Sequence, residues 1–286
     1  MTADPFVVHR SLLFTVAYEM LGSAADAEDV LQETWLRWTG VERSQIRDPR
    51  AYLVRAVTRQ ALNRMRTLAR RREDYVGEWL PEPLLTHPDV ADDVELAESV
   101  SIAMLTVLET LGPVERAVFV LREVFEMPYD EVAEAVGKTP AAVRQVARRA
   151  RDHVAARQPR VKVSRSEHTA VVDRFVAALH TGRIQGLLEI MAPDVVLIAD
   201  GGGITAAART PVHGAELVAT MLAATDRAAF DTTTVCLNAA PAIRIASDAA
   251  EATVSLVIED GRVTRIYATS NPHKLTRLDE PVDLMR

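Results

Sequence analysis

The distribution of charge along the chain constrains its fold more than any other feature. Between Pro49 and Arg72 stand eight arginines (Arg50, Arg55, Arg59, Arg64, Arg66, Arg70, Arg71 and Arg72) and no acid. From Glu73 to Glu115 there are acids and not one lysine or arginine. From Arg144 to Arg160 arginine returns, opposed only by Asp152. The formal net charge of −7 therefore conceals two basic stretches separated by an acidic strip. Pro81, Pro83 and Pro88 interrupt that strip, where they remove backbone donors while the acids repel one another. This pattern predicts two separate helical units, residues 1–74 and 105–160, joined by an acidic linker over 75–104.

Hydrophobic spacing agrees. Phe6, Leu13, Val16, Ala17, Met20 and Leu21 recur at helical intervals. Gly22-Ser23 breaks the pattern, and Ser23 is placed to cap a helix over Ala24–Trp38. Pro49 opens the arginine-rich helix, at the position where a missing N–H has no helical partner. Later, Glu115–Phe125 reads as an amphipathic helix. Tyr129–Val136, Gly137 and Thr139–Val154 have the layout of a helix-turn-helix, with Gly137 supplying a positive-φ turn and Thr139 the cap. After Pro159 the character changes. Val171–Leu179 and Gly186–Met191 look helical, whereas Val195–Ala199, Ala252–Ile258 and Val263–Ala268 are rich in strand formers. Asp260-Gly261 between the last two signals a hairpin. A third, α+β unit is expected over 165–286.

Several function classes are disfavoured. No apolar run approaches the ~18 residues of a membrane span, and Met1–Arg10 carries Asp4 and Pro5 where a secretory signal would be basic. The single cysteine, Cys236, excludes an intramolecular disulfide and any cysteine-cluster metal site. A cytoplasmic protein without membrane contact, metal or cofactor is expected.

The chemistry lies in the basic helices. In the second helix of the helix-turn-helix, Val143, Val146, Ala147 and Ala150 are spaced to face inward. Arg144, Gln145, Arg148 and Arg149 are left facing out. Arginine pairs with guanine and glutamine with adenine in the major groove. Along the first basic helix, the arginines have no acids at helical spacing to pair with, and a phosphate backbone would supply the missing charge. A solvated basic surface is the competing account of each stripe taken singly.

Taken together, the stripes carry a resemblance. The segments DAEDVLQETWLRW (Asp26–Trp38) and RDPRAYLVRAVTRQALNRMR (Arg47–Arg66) resemble domain 2 of RNA polymerase sigma factors. LETLGPVERAVFVLREVFEMPYDEVAEAVGKTPAAVRQVARRAR (Leu108–Arg151) resembles domain 4. The chain is thereby similar to the extracytoplasmic-function type of the sigma-70 family. The resemblance implies that Asp29, Gln32, Glu33 and Leu36, one face of a helix, dock on the β′ subunit of core RNA polymerase. It implies that Arg55, Arg59, Asn63 and Arg66 open and read the minus-ten promoter element, and that Arg144, Gln145, Arg148 and Arg149 read the minus-thirty-five element. The acidic linker would thread the polymerase cleft, where polyanions suit a channel built for phosphates; a solvated tether is the alternative.

Three further motifs, WLPEPL (Trp79–Leu84), DGGG (Asp200–Gly203) and NPHKL (Asn271–Leu275), resemble those of the SigJ-like group, which carries a C-terminal SnoaL-like domain. The implied fold is multidomain: two all-α sigma domains, the second with the helix-turn-helix, then an α+β cone of the NTF2/SnoaL-like class. Trp79, Leu80 and Leu84 are apolar groups expected to anchor the linker on that domain. Asp200, Gly201, Gly202, Gly203, Asn271, Pro272, Lys274 and Leu275 would form the regulatory interdomain contact. Ile204 and His273 depart from the group's pattern, which has a basic residue and an acid there. The C-terminal domain is expected to pack on domains 2 and 4 and to restrain them.

Two other assignments compete. A one-component repressor with a ligand sensor leaves the Asp26–Trp38 helix and the first arginine helix unexplained. A SnoaL-like isomerase or hydrolase needs an acid–base pair, yet His168, His180, His213, Asp173 and Asp194 are dispersed, so no catalytic residue and no enzyme activity is expected. A small-molecule ligand of the C-terminal domain has no residue in the sequence to identify it.

Overall fold

Glycines and caps divide the N-terminal half where the sequence places them. The computed structural model describes residues 4–158, 163–224, 230–247 and 250–286. The side chains of residue 45 and of 69–73, among them Arg70, Arg71 and Arg72, lie outside the described residues, as does Arg160. Helices α1 (Pro5–Val8) and α2 (Arg10–Leu21) are separated at His9, and α3 (Ala24–Thr39) and α4 (Pro49–Glu73) follow. Gly22 ends α2 at φ +67°, and the Ser23 hydroxyl accepts from the Asp26 amide at 3.2 Å. A Cβ at Gly22 would lie 2.7 Å from the Glu109 carboxylate and 2.8 Å from the Trp79 ring, so no other residue fits this crossing of three segments. Every residue of α2 from Leu12 to Leu21 is buried, Glu19 included. α2 is thus a central strut rather than the one-faced helix its spacing predicts.

The acidic strip is not an open tether. The Asp93 carboxylate caps a helix, α5 (Val94–Ser99), by accepting from the Leu96 amide at 3.1 Å. Local capping there overrides the charge repulsion that made the segment read as a linker. Helices α6 (Ile102–Leu108), α7 (Pro113–Phe119), α8 (Tyr129–Val136) and α9 (Pro140–Ala155) complete the second unit, and a single π turn over Val120–Val124 prolongs α7. Gly137 has φ +68° and Thr139 caps α9, accepting from the Ala142 amide at 3.3 Å.

The two helical units share one hydrophobic core. It runs from Phe6 through α2, α3 and α4 to α7, α8 and α9, and takes in Leu84, Ala239 and Leu284 from elsewhere in the chain. A fully buried leucine or valine contributes roughly 1.5–3 kcal/mol, so this merger is a substantial fraction of the molecule's cohesion.

The C-terminal unit comprises α10 (Arg165–Thr181), α11 (Ile184–Ile190), β1 (Met191–Asp200), β2 (Val212–His213), α12 (Ala215–Ala223), β3 (Asp231–Leu237), β4 (Ala240–Ala246), β5 (Glu251–Glu259) and β6 (Arg262–Thr269). The sheet order is β2-β1-β6-β5-β4-β3, with β1 parallel to β6 and the other pairs antiparallel. Val254, Leu256, Ile258, Val263 and Ile266 pack on α10, α11 and α12. The alternate residues Val257 and Tyr267 face the other way, onto Leu80 and Ile102. The predicted Asp260-Gly261 hairpin is present, at φ +51° and +74°. A second hairpin turns at Asn238-Ala239, also left-handed at φ +51° and +63°. It gives no sequence signal, because alanine stands where such a turn favours glycine.

Candidate nucleic-acid interface and interdomain clamp

On α9 the inward set is buried: Val143, Val146, Ala147 and Ala150. Arg144, Gln145, Arg148 and Arg149 are exposed on one face. Arg149 makes only a loose ion pair with Glu115 at 3.5 Å, and Arg144 lies over the Tyr129 ring at 5.3 Å. This face is free to enter a groove.

The face of α4 is not. Arg55, Arg59, Asn63 and Arg66 line one side of the helix, as their spacing requires. Arg55 forms an ion pair with Glu134 of α8, and Arg59 Nη2 donates to the Glu134 backbone carbonyl at 2.8 Å. Arg66 donates to Asn63 Oδ1 at 3.1 Å. The arginines lacking acids within their own helix therefore find them on neighbours: Arg64 bridges Asp26 at 2.6 Å and Asp29 at 2.7 Å on α3. Asp29, Gln32, Glu33 and Leu36 are exposed along α3, with Glu33 accepting from Gln60 at 2.7 Å. Leu36 is 65% exposed.

The linker motif and the two C-terminal motifs meet at one buried ion pair. Asp200, at the end of β1, is fully buried and Lys274 nearly so; Lys274 Nζ lies 2.7 Å from Asp200 Oδ2. The same Asp200 oxygen accepts from the Leu80 amide at 2.9 Å, and its other oxygen accepts from Tyr75 Oη at 2.6 Å and the Gly202 amide at 3.0 Å. Lys274 also donates to the Leu80 carbonyl and sits 3.9 Å above the Trp79 ring. Burial and the donation to Asp200 push the Tyr75 hydroxyl's pKa upward. The glycines are needed for approach: a Cβ on Gly202 would lie 2.4 Å from Asn271 Nδ2, one on Gly203 3.0 Å from Val76, and one on Gly201 2.6 Å from the Thr205 carbonyl. Asn271 caps the short turn Pro272–Lys274 that aims Lys274 inward, and Leu275 packs with Leu237, Ala242 and Leu278. Ile204 and His273 both lie exposed, so the two departures from the group's pattern leave the ion pair untouched.

Three participants escaped the sequence. Asn238, 1% exposed, accepts from the Leu84 amide at 2.9 Å through Oδ1. Its Nδ2 donates to Tyr18 Oη at 2.7 Å and to the Val100 carbonyl at 2.8 Å. One side chain thus ties the linker, α2 and the start of the second unit to the sheet. Tyr18 in turn donates to the Glu82 carbonyl at 2.6 Å. The Glu82 carboxylate accepts from the Ala24 amide at 2.7 Å, seating the linker on the N-terminus of α3. The sequence signal was Glu82 itself, an acid between two prolines in an otherwise apolar motif. The chain's end returns as well: Leu284 enters the shared core, the Met285 amide donates to Thr15 Oγ1 at 3.0 Å, and Arg286 pairs with Asp93 and Glu95.

Where α2 meets α7 the joint is polar. Arg116, 1% exposed, donates through Nε to the Glu19 carbonyl at 2.8 Å and pairs with Glu109. The Glu19 carboxyl accepts from Ser99 at 2.7 Å, while Glu19 Oε2 and Arg116 Nη2 have no hydrogen-bond partner among the described residues. Burial pushes the Glu19 carboxyl's pKa up and that of the Arg116 guanidinium down.

No described group of His, Cys, Asp and Glu is arranged to hold a metal, and no described helix is long and apolar enough to cross a membrane. The models of sigma-70 region 2 and sigma-70 region 4 match residues 6–71 and 101–154. The chain is 40% identical over 222 residues to ECF RNA polymerase sigma factor SigJ of Mycobacterium tuberculosis, covering 76% of this chain and 71% of that protein. It is 31% identical over 275 residues to the probable ECF sigma factor SigI of the same organism, covering 94% of this chain and 93% of the relative. The crystal structure of SigJ superposes with a TM-score of 0.77 at 33% identity, over 97% of this chain and 98% of that one. A basic, exposed face on α9, a basic α4 in the order that sigma regions require and similarity along the whole length leave one family: the chain belongs to the extracytoplasmic-function RNA polymerase sigma factors, alternative sigma factors that direct transcription initiation, and it carries a C-terminal SnoaL-like domain.

Proposed function

We propose that this sigma factor guides core RNA polymerase to its promoters in the cytoplasm, and that the C-terminal domain holds the promoter-reading units closed until polymerase or a signal parts them. The observation that carries this reading is the bonding of Arg55 and Arg59 on α4 to Glu134 on α8. The minus-ten and minus-thirty-five elements are about 25 base pairs apart, roughly 85 Å of duplex at ~3.4 Å each. Helices that share side-chain bonds and one core do not span that distance.

In the open form, Asp29, Gln32, Glu33 and Leu36 dock on the β′ subunit. Arg55, Arg59, Asn63 and Arg66 engage the opened minus-ten strand, and Arg144, Gln145, Arg148 and Arg149 read the minus-thirty-five major groove. The polar joint of Glu19 and Arg116 favours reversibility: buried polar atoms left without partners in the closed core regain water when the units part.

Deleting Thr276–Arg286 tests the restraint. The deletion removes Leu284 from the shared core and the Arg286 pairs with Asp93 and Glu95, while keeping Asp200–Lys274; Leu278, also lost, packs on Leu237 and Ala242 within the C-terminal unit. One buried leucine at roughly 1.5–3 kcal/mol moves the opening equilibrium about tenfold to a hundredfold, at about 1.4 kcal/mol per factor of ten. Promoter-specific transcription with core polymerase is expected to rise about tenfold or more. Unchanged or lower output from a deletion protein that still binds core polymerase would contradict the restraint.

A further inference from the structure

A cavity of about 410 Å³ lies where α5, α6, the end of α9, the start of α10 and strands β4, β5 and β6 meet. Val257 and Tyr267 from one side of the sheet line it, as do Leu256 and Ile258 from the other and His168 from α10. Its size and its largely apolar lining, including Ala97, Ile102, Ala103 and Val257, are those of a small-molecule site. Two polar atoms in that lining are unaccounted for. The Tyr267 hydroxyl belongs to a side chain only 3% exposed; the Arg265 guanidinium on the same face of β6 acts on it, but no described group lies within hydrogen-bond distance. His168 Nε2 is likewise buried without a partner. Each such group costs roughly 1–3 kcal/mol if left unbonded, and folded proteins rarely leave two beside one cavity.

The largely apolar lining favours an uncharged molecule. Burial pushes the His168 imidazole down to about 4, so it is neutral at physiological pH and offers no cation. Glu98 lines the same space and accepts a hydrogen bond from Gln158 at 3.4 Å. Arg165 donates to the Pro88 carbonyl at 2.6 Å. We propose that this cavity binds an uncharged, largely apolar molecule bearing a carbonyl or hydroxyl oxygen, held by the Tyr267 hydroxyl and His168 Nε2, and that the bound molecule keeps the sigma factor closed. The second half rests on the closed-state reading above. The cavity's walls come from the linker helices, the tail of α9 and the sheet, so they exist together only while those units are packed. A ligand of that assembled form stabilises it by mass action, by about a hundredfold at one hundred times Kd.

The test uses full-length protein with 2-acetylnaphthalene and 2-naphthol, and naphthalene as the oxygen-free control. Calorimetric titration is expected to give saturable one-to-one binding of the two oxygenated probes. Tyr267→Phe is expected to weaken 2-acetylnaphthalene about tenfold, the loss of one hydrogen bond, with thermal stability and unliganded transcription kept. Ala103→Phe, which fills the cavity, is expected to abolish binding. Saturating probe is expected to lower transcription by the wild-type chain. No saturable binding, or binding unchanged in Tyr267→Phe, would overturn the site. Binding without a fall in transcription would overturn its coupling alone, while the tail deletion decides independently whether the closed state restrains the protein.

Discussion

Lys274→Met should destabilise the closed protein by about 3–5 kcal/mol, the cost of leaving a buried charge without its partner. Asp200 is fully buried and would retain three donors, the Tyr75 hydroxyl and the Leu80 and Gly202 amides, but no cation. Methionine preserves most of the lysine stem, so the loss is of charge rather than of packing. Lys274 also covers the Trp79 ring, so tryptophan emission should shift as the unfolding midpoint falls. Adding Asp200→Asn removes the stranded charge and should recover part of the loss. A single variant as stable as wild type, or a double variant no better than the single, would show that the pair does not hold the linker.

Asn238→Ala is the second large effect. It strips hydrogen bonds from the Leu84 amide, the Tyr18 hydroxyl and the Val100 carbonyl, all buried. It also places alanine at φ +51°, a conformation that asparagine tolerates better. With buried groups costing roughly 1–3 kcal/mol each when orphaned, a total near 4 kcal/mol is expected. Asn238→Gly separates the contributions, since it accommodates the turn and still loses the bonds. Hydrogen exchange is the sensitive readout: the Leu84 amide should lose protection in both variants, and transcription should rise with it. Retained protection at Leu84 would mean that the linker is held elsewhere.

These two residues mark what the sequence made visible. Asp200 and Lys274 were found because their motifs carry a resemblance and because the glycine run beside Asp200 demanded a close approach. The helical units were legible from punctuation, since Gly22, Ser23, Pro49, Gly137 and Thr139 each end or start a helix by local chemistry. The outward face of α9 followed from helical spacing, whereas that of α4 came from the resemblance. Asn238 was illegible because its role depends on three groups distant in sequence, and its own turn lacks the usual glycine. Helix α5 was hidden by its acids: a cap and two buried side chains, Leu96 and Ser99, outweigh a repulsion that only composition reveals. The pairing of Arg55 and Arg59 with Glu134 was likewise invisible, because charge counting along one helix says nothing of an acid supplied by another.

The closure of α4 against α8 is tested most directly by fixing it covalently. In a Cys236→Ser background, Arg55→Cys and Glu134→Cys would be joined by a short cleavable bis-maleimide, with each single-cysteine variant treated in parallel. Promoter-specific transcription with core polymerase is then measured before and after cleavage of the linker. Joined protein should be inactive and should recover on cleavage to the level of the Arg55→Cys control. Fully joined protein that initiates as well as the cleaved form would contradict the account, since α4 and α8 would then have no need to part.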